Sequence, residues 1–266
     1  MIKTGIGYWF GYKIENKERF KLIKEAGFDN VFLWWGDEFV DYDGNKNLLP
    51  EMARAVGLKV ENVHAPFDNT NRIWTESVNA EDIVKRYTQC IIDCSQHNIP
   101  TVVIHLTNGD TPPPQTLLGL DRIKYLVELA EQKGVNIALE NLRRPEYLQF
   151  VFSNIQSNRL GFCYDSGHEN CYSKGTDLLS TYGSKLMALH LHDNDETADQ
   201  HRIPGEGTIN WDSIVQKIKS IRYQGPISLE VTNELSKQYS AIPAQEFLMT
   251  ANKKLLSYFY EESIIY

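Results

Sequence analysis

The feature that most constrains this chain is a strand–helix alternation that recurs eight times. "TGIGYWF" (4–10), rich in β-branched and aromatic residues, reads as a strand. "KERFKLIKEAG" (17–27) follows with helical spacing and a glycine where a helix C-cap belongs. Further strands are predicted at 30–36, 59–66, 101–106, 136–141, 160–168, 186–193 and 226–231. Between them lie helical stretches at 48–57, 80–98 and 117–134, then "YLQFVFSNIQS", "TDLLSTYGS" and "WDSIVQKIKSI". "PAQEFLMTANKKLLSYFYEE" closes the chain. The repeat is near 33 residues, as expected when about 250 residues are divided over eight strand–helix units.

Short apolar strands without alternation suit a parallel sheet covered on both faces. Right-handed crossovers either close such units into a barrel or leave an open, doubly wound sheet. Eight regular units favour the barrel. The fold class is therefore read as α/β, a single (β/α)8 TIM barrel. No linker, low-complexity run or charge block divides residues 1–266, so one domain is expected. "TPPP" (111–114) reads as a stiff loop after the fourth strand.

Composition narrows the setting. At 42% hydrophobic residues the chain can bury a sizeable core. It has no run of about 18 apolar residues, so a membrane is not an expected partner. "MIKTGIGYWF" does not read as a signal peptide. The four cysteines, Cys90, Cys94, Cys163 and Cys171, form no CxxC pair and read as reduced thiols of a cytoplasmic protein. Cys90 and Cys94 are assigned to core packing. A net charge of −8 argues against a general nucleic-acid binder, because phosphate binding rests on basic patches. A homo-oligomer is left open.

In a barrel of this kind the active site lies at the C-terminal strand ends. Of seven histidines, six fall there: His64, His105, His168, His190, His192 and His201. Chance would place roughly two. Glu140 ends the fifth strand, Asp165 the sixth and Glu230 the eighth. Histidines and carboxylates converging on one mouth form a divalent-metal pattern, since acids without a cation would repel one another there. The densest stretch is "HLHDNDETADQHRIPGEG" (190–207). His192 can face the mouth with His190, and is read as orienting a neighbour or touching substrate. Asp193, Asp195 and Glu196 are read as solvated loop acids or partners of the histidines. Pro204 and two glycines turn the chain tightly after them. Of Trp34 and Trp35, either one walls a pocket while the other packs under a helix, or both belong to the core.

These strand ends resemble the xylose-isomerase-like TIM barrels, the superfamily of sugar (phosphate) isomerases and epimerases that also contains endonuclease IV. The resemblance rests on "VHAP" (His64), "VIHL" (His105), "ALEN" (Glu140), "CYDSGH" (Asp165, His168), "HLHDND" (His190), "DQHRIPGEG" (Asp199, His201) and "SLEV" (Glu230), in that order. Similarity to the ketose epimerases implies one divalent metal held by Glu140, Asp165, His190 and Glu230, with His168 and Arg202 on the substrate. Similarity to endonuclease IV implies three zinc ions shared by His64, His105, Glu140, Asp165, His168, His190, Asp199, His201 and Glu230. The ligands alone do not separate the two.

The mouth loops do. "WGDEFVDYDGN", "FDNTNRIWTES", "TNGDTPPPQ" and "DNDETADQ" are acidic or neutral, with few basic residues beyond Arg72, Arg143, Arg144 and Arg202. A nuclease that flips nucleotides needs the opposite. The expected partner is a small carbohydrate, with Tyr8, Trp9, Trp34, Phe67 and Trp74 as candidates for an aromatic wall. The expected reaction is isomerisation or epimerisation by proton transfer through a metal-stabilised enediolate, with Glu140 and Glu230 as the acid–base pair. The expected cofactor is Mn2+ or Zn2+, in one or more ions. His64, His105, His168, Asp199 and His201 would hold a second ion or substrate; Arg202 and Trp34 would also contact substrate. A zinc-dependent phosphodiesterase on abasic DNA, or a dehydratase or lyase on the same barrel, is the alternative.

Overall fold

Side chains on successive strand residues point to opposite faces, and here the two faces differ in kind. On one face stand large apolar residues such as Ile6, Leu33, Val63, Ile104, Leu139, Phe162, Leu189 and Leu229, all within the main core cluster. On the alternate positions Val103, Ala138, Cys163 and Ala188 form a separate buried cluster of small side chains. The strands therefore do alternate, contrary to the pattern read from the sequence. Small residues count as apolar, and several strands are buried at every position, so the alternation does not show in hydrophobicity.

The structure, a computed structural model, describes residues 2–37, 44–234, 239 and 241–260. Its elements run β1 (Thr4–Gly7), α1 (Asn16–Glu25), β2 (Asn30–Trp34), α2 (Leu49–Ala55), β3 (Lys59–His64), α3 (Ala80–Gln96), β4 (Thr101–Ile104), α4 (Leu117–Lys133), β5 (Asn136–Glu140) and α5 (Glu146–Asn154). There follow β6 (Leu160–Asp165), α6 (Ser166–Tyr172), α7 (Leu178–Tyr182), β7 (Leu186–His190), α8 (Trp211–Ser220), β8 (Ile227–Leu229) and α9 (Ala244–Phe259). The strands pair in parallel in the order β7-β6-β5-β4-β3-β2-β1-β8. Between β7 and β8 only an isolated bridge, Leu191 with Leu229, brings the edges together. It is made by Leu191 N–H to the Ser228 carbonyl at 2.9 Å and Glu230 N–H to the Leu191 carbonyl at 3.0 Å. The result is a single, nearly closed (β/α)8 TIM barrel.

Boundaries differ from the sequence reading where side chains redirect the backbone. The segment 160–168 is not all strand. Asp165 accepts a hydrogen bond from the His168 backbone N–H at 2.6 Å, which caps a new helix, α6, and places His168 on it. Segment 48–57 opens as a 3-10 turn, Lys46–Leu48, before α2. Residues 38–43 of the acidic second loop, and 261–262 of the expected last helix, lie outside the described residues. Cys90 and Cys94 are buried in the core. Among the described residues no helix is long and apolar enough to cross a membrane.

One carboxyl sits inside the barrel wall. The register between β2 and β3 shifts after Val31, which leaves Glu61 outside the ladder. Its Oε1 accepts from the Ser228 hydroxyl on β8 at 2.5 Å. Burial pushes the Glu61 carboxyl up to about 7, with the Ser228 hydrogen bond opposing. A folded value above the unfolded one means stability that is full below pH about 4.5 and lost as pH rises through about 7. Glu61→Gln should therefore gain stability relative to wild type across that window. Urea unfolding with chelator present, repeated over pH, measures the difference; a pH-independent difference refutes it.

Candidate metal centre

The barrel brings the strand-end residues to one point. β5 ends at Glu140, β6 at Asp165 and β7 at His190, while Glu230 follows the last residue of β8. Each of these four offers a ligand atom, and the four atoms lie within 4.8 Å of one another. His64, Glu140 and His190 make a second such group, and His192, His201 and Glu230 a third. Glu140 is the hub and is only 2% exposed. Its Oε2 lies 3.0 Å from His64 Nε2, 3.3 Å from His105 Nε2 and 3.4 Å from His190 Nδ1. Its Oε1 lies 3.1 Å from His168 Nδ1. Asp199 joins from the loop, 3.1 Å from His168 Nε2 and 3.4 Å from His201 Nε2.

Electrostatics follow from this packing. Burial alone would raise Glu140 and Asp165, but His105 and His190 outweigh it at the first, and His168 and His192 at the second. Both carboxyls are held below their usual range. Burial opposes the charged form of His190, yet Cys163, Glu230 and Glu140 hold it well above an ordinary imidazole. His201 is pushed up to about 9, its burial overcome by Asp199. His105 goes the other way: burial lowers it and Glu140 only partly compensates.

The donor set fits a divalent cation. It is nitrogen and oxygen only, which suits zinc or manganese. The buried Nδ1 of His190 makes no hydrogen bond of its own. Surrounding groups fix the rest. His201 Nδ1 lies 2.8 Å from the Glu230 carbonyl oxygen, so it is the donor there, and Nε2 is the nitrogen that would offer a lone pair once the ring gives up its second proton. Asn141 Nδ2 donates to the Asp165 carbonyl at 2.8 Å, and the Asp165 N–H donates back to Asn141 Oδ1 at 2.8 Å.

Beside the cluster opens a cavity of about 330 Å³, lined by Gly7, Tyr8, Trp9, Phe32, Trp34, His64, His201, Glu230, Val231, Thr232 and Glu234. Trp34 walls it, while Trp35 is buried and donates to Asp93 at 2.8 Å. Phe67 does not line this cavity but stacks on His105, with centroids 4.4 Å apart. Trp74 belongs to the core rather than the wall, donating to the Leu106 carbonyl at 2.7 Å. Phe32, which sequence reasoning missed, stacks on His190 at 4.5 Å. Its alternation with Trp34 on β2 was the available signal.

The loop acids divide. Asp195 pairs with Arg202 at 2.9 Å and Glu196 with Lys174 at 2.6 Å, both toward solvent. Asp193 is 0% exposed, so it is not a solvated loop acid. It accepts from Gly205 N–H at 2.8 Å, Trp211 Nε1 at 2.8 Å and Asn194 N–H at 2.9 Å, and so anchors the turn. Gly205 adopts a left-handed φ of 88°, which explains that glycine. The Arg202 guanidinium, held by Asp195 and donating to the Glu206 carbonyl at 3.2 Å, does not line the cavity.

A metal-ligating imidazole must be neutral, whereas His190 holds its proton well above the ordinary range. Zinc binding at pH 7 should therefore release about one proton per ion, and affinity should climb with pH. Calorimetric titrations in buffers of different ionisation enthalpy would show it; buffer-independent heats would count against it.

The geometry can be set beside known proteins. The xylose isomerase-like TIM barrel family model matches residues 20–251. An inosose isomerase of Bacillus velezensis is 26% identical over 256 residues, covering 89% of each chain. An L-ribulose 3-epimerase structure superposes with a TM-score of 0.76 at 17% identity, covering 97% of this chain and 95% of that one. The IOLI protein with a binding zinc atom superposes with a TM-score of 0.76 at 18% identity, covering 97% and 98%. At these identities the two superpositions speak for the fold. The family match spans most of the chain, and the protein belongs to the xylose isomerase-like TIM barrel family.

Proposed function

We propose that the protein is a divalent-metal-dependent isomerase or epimerase of a small carbohydrate, moving a proton on a carbon next to a carbonyl. The observation that carries this reading is the placement of two carboxylates against one imidazole. Glu140 and Glu230 lie 3.4 and 3.6 Å from His190 Nδ1, and the cavity opens on Glu230. Glu140, Asp165, His190 and Glu230 would hold the cation. When bound, it supplies positive charge that stabilises the negative charge developing on the carbonyl oxygen.

The chain's own residues do the rest. Glu230, 24% exposed and on the cavity lining, takes the proton from the substrate carbon. Glu140, deeper in the mouth, is the complementary member of the pair: in an epimerisation it must first gain a proton to return one to the opposite face, whereas in an isomerisation Glu230 itself returns the proton to the neighbouring carbon. Trp9, Phe32 and Trp34 offer apolar faces to the C–H side of a sugar ring or chain, while His64 and His201 face its hydroxyls. Among the described residues lining the cavity there is no lysine or arginine. Nearby, Arg143 is paired with Asp110 at 2.7 Å and Arg202 with Asp195. A phosphodiester backbone would find little to grip, which supports a carbohydrate over abasic DNA. The likeness to an inosose isomerase and an epimerase supports the same class, and the zinc-bearing neighbour supports zinc beside manganese as the cation. The reading takes residues 1–266 as one domain acting in the cytoplasm.

Incubated in deuterated solvent with a ketose or inosose, the metal-loaded enzyme should exchange the proton next to the carbonyl, followed by mass spectrometry. Glu230→Gln should slow exchange by about 100-fold or more at matched metal content. Abasic-site DNA should stay uncut. Rapid DNA cleavage without exchange would install the phosphodiesterase instead, and loss of water from the sugar would identify a dehydratase.

A further inference from the structure

His192 lies outside the four-residue set. It stands two residues beyond His190 and is 0% exposed. Its Nε2 lies 3.1 Å from one oxygen of Asp165 and 3.2 Å from the other. We infer that His192 is a positioning residue: its Nε2–H holds the Asp165 carboxylate in the orientation that binds the cation. The inference rests on the metal reading above.

The ring's hydrogen-bonding role follows from its surroundings. Nδ1 is buried and has no hydrogen-bond partner. The ring nitrogen with an acceptor in reach is Nε2, which faces the carboxylate, so the N–H there is the one that finds a partner. The residue is fixed through its backbone and on its ring. Ser166 Oγ donates to the His192 carbonyl at 2.7 Å and accepts from its N–H at 2.9 Å. One ring face lies against His201, with centroids 4.1 Å apart and planes 13° from parallel. A Cβ at residue 167 would overlap the imidazole, so Gly167 leaves the room it occupies. Asp165 is thereby held from two directions, by His192 and by the His168 N–H at 2.6 Å. Hydrogen bonds of this kind on a ligating carboxylate fix its orientation and tune affinity.

The test uses the purified full chain with zinc alone as probe. His192→Phe keeps the aromatic stack and loses the donor; His192→Gln keeps an N–H donor. His192→Phe should weaken zinc binding by about 10- to 100-fold, measured by competition with a chromophoric chelator. The number of ions per chain and the melting temperature in chelator should be unchanged, and His192→Gln should recover most of the affinity. Wild-type affinity in His192→Phe overturns the inference alone. Loss of one of two bound ions also overturns it, making His192 a ligand with His201 and Glu230. So does an equal drop in melting temperature with and without zinc, which marks a purely structural role. Should His192→Phe not fold, His192→Asn, which shortens the reach, is read the same way. A wild-type chain that binds no zinc brings down the metal reading and the inference together.

Discussion

A carboxylate that is 2% exposed keeps its charge only if something replaces the water it has lost. Around Glu140 the replacement is four imidazoles, from His64, His105, His168 and His190, with ring nitrogens 3.0 to 3.4 Å away. Much of the molecule serves that arrangement. The rings come from β3, the end of β4, α6 and β7, so the site exists only when those elements are assembled around one axis. A cation shared by Glu140, Asp165, His190 and Glu230 would take over what the imidazoles begin, since an imidazole that ligates gives up its proton and the acids then need another positive charge.

The barrel makes room for this by keeping its inner wall thin below the mouth. Val103, Ala138, Cys163 and Ala188 are small, and each lies two residues before His105, Glu140, Asp165 or His190 on its own strand. The strand period therefore puts a small side chain below each large polar one. The returning loop is held as firmly as the strands. Asp193 gathers the turn beneath it, and the Thr232 N–H donates to the His201 carbonyl at 3.0 Å. His201 itself has a left-handed φ of 46°, uncommon for a residue with a side chain and often found where a functional group must be aimed.

The eight strand–helix units were legible because length, glycine caps and helical spacing are local signals. That the strand ends would bring histidines and carboxylates together was legible because barrel geometry fixes where they point. What escaped depends on contacts distant in sequence. The inward alternation of the strands was hidden because alanine and cysteine look as apolar as leucine. The start of α6 was hidden because Asp165 serves at once as strand end, helix cap and site carboxylate. Asp193 looked like its acidic neighbours, and only the folded turn shows Trp211 and Gly205 converging on it. Trp74, expected on the wall, packs in the core, and Phe32, given no role, lines the cavity, because which aromatic faces the mouth depends on register, not on residue type.

The barrel's closure is uneven. Seven strand pairs have laddered registers, whereas β7 and β8 meet through two hydrogen bonds at Leu191. His190 and Glu230 stand on opposite sides of that seam. Local opening starts where backbone hydrogen bonds are few, so amide exchange in the cylinder should begin there. Such opening would separate two of the groups proposed to share a cation. By mass action, an ion that binds only the closed form lowers the population of the open one. The weakest joint would then tighten in proportion to the free metal concentration, making the mouth most rigid when it is ready to work.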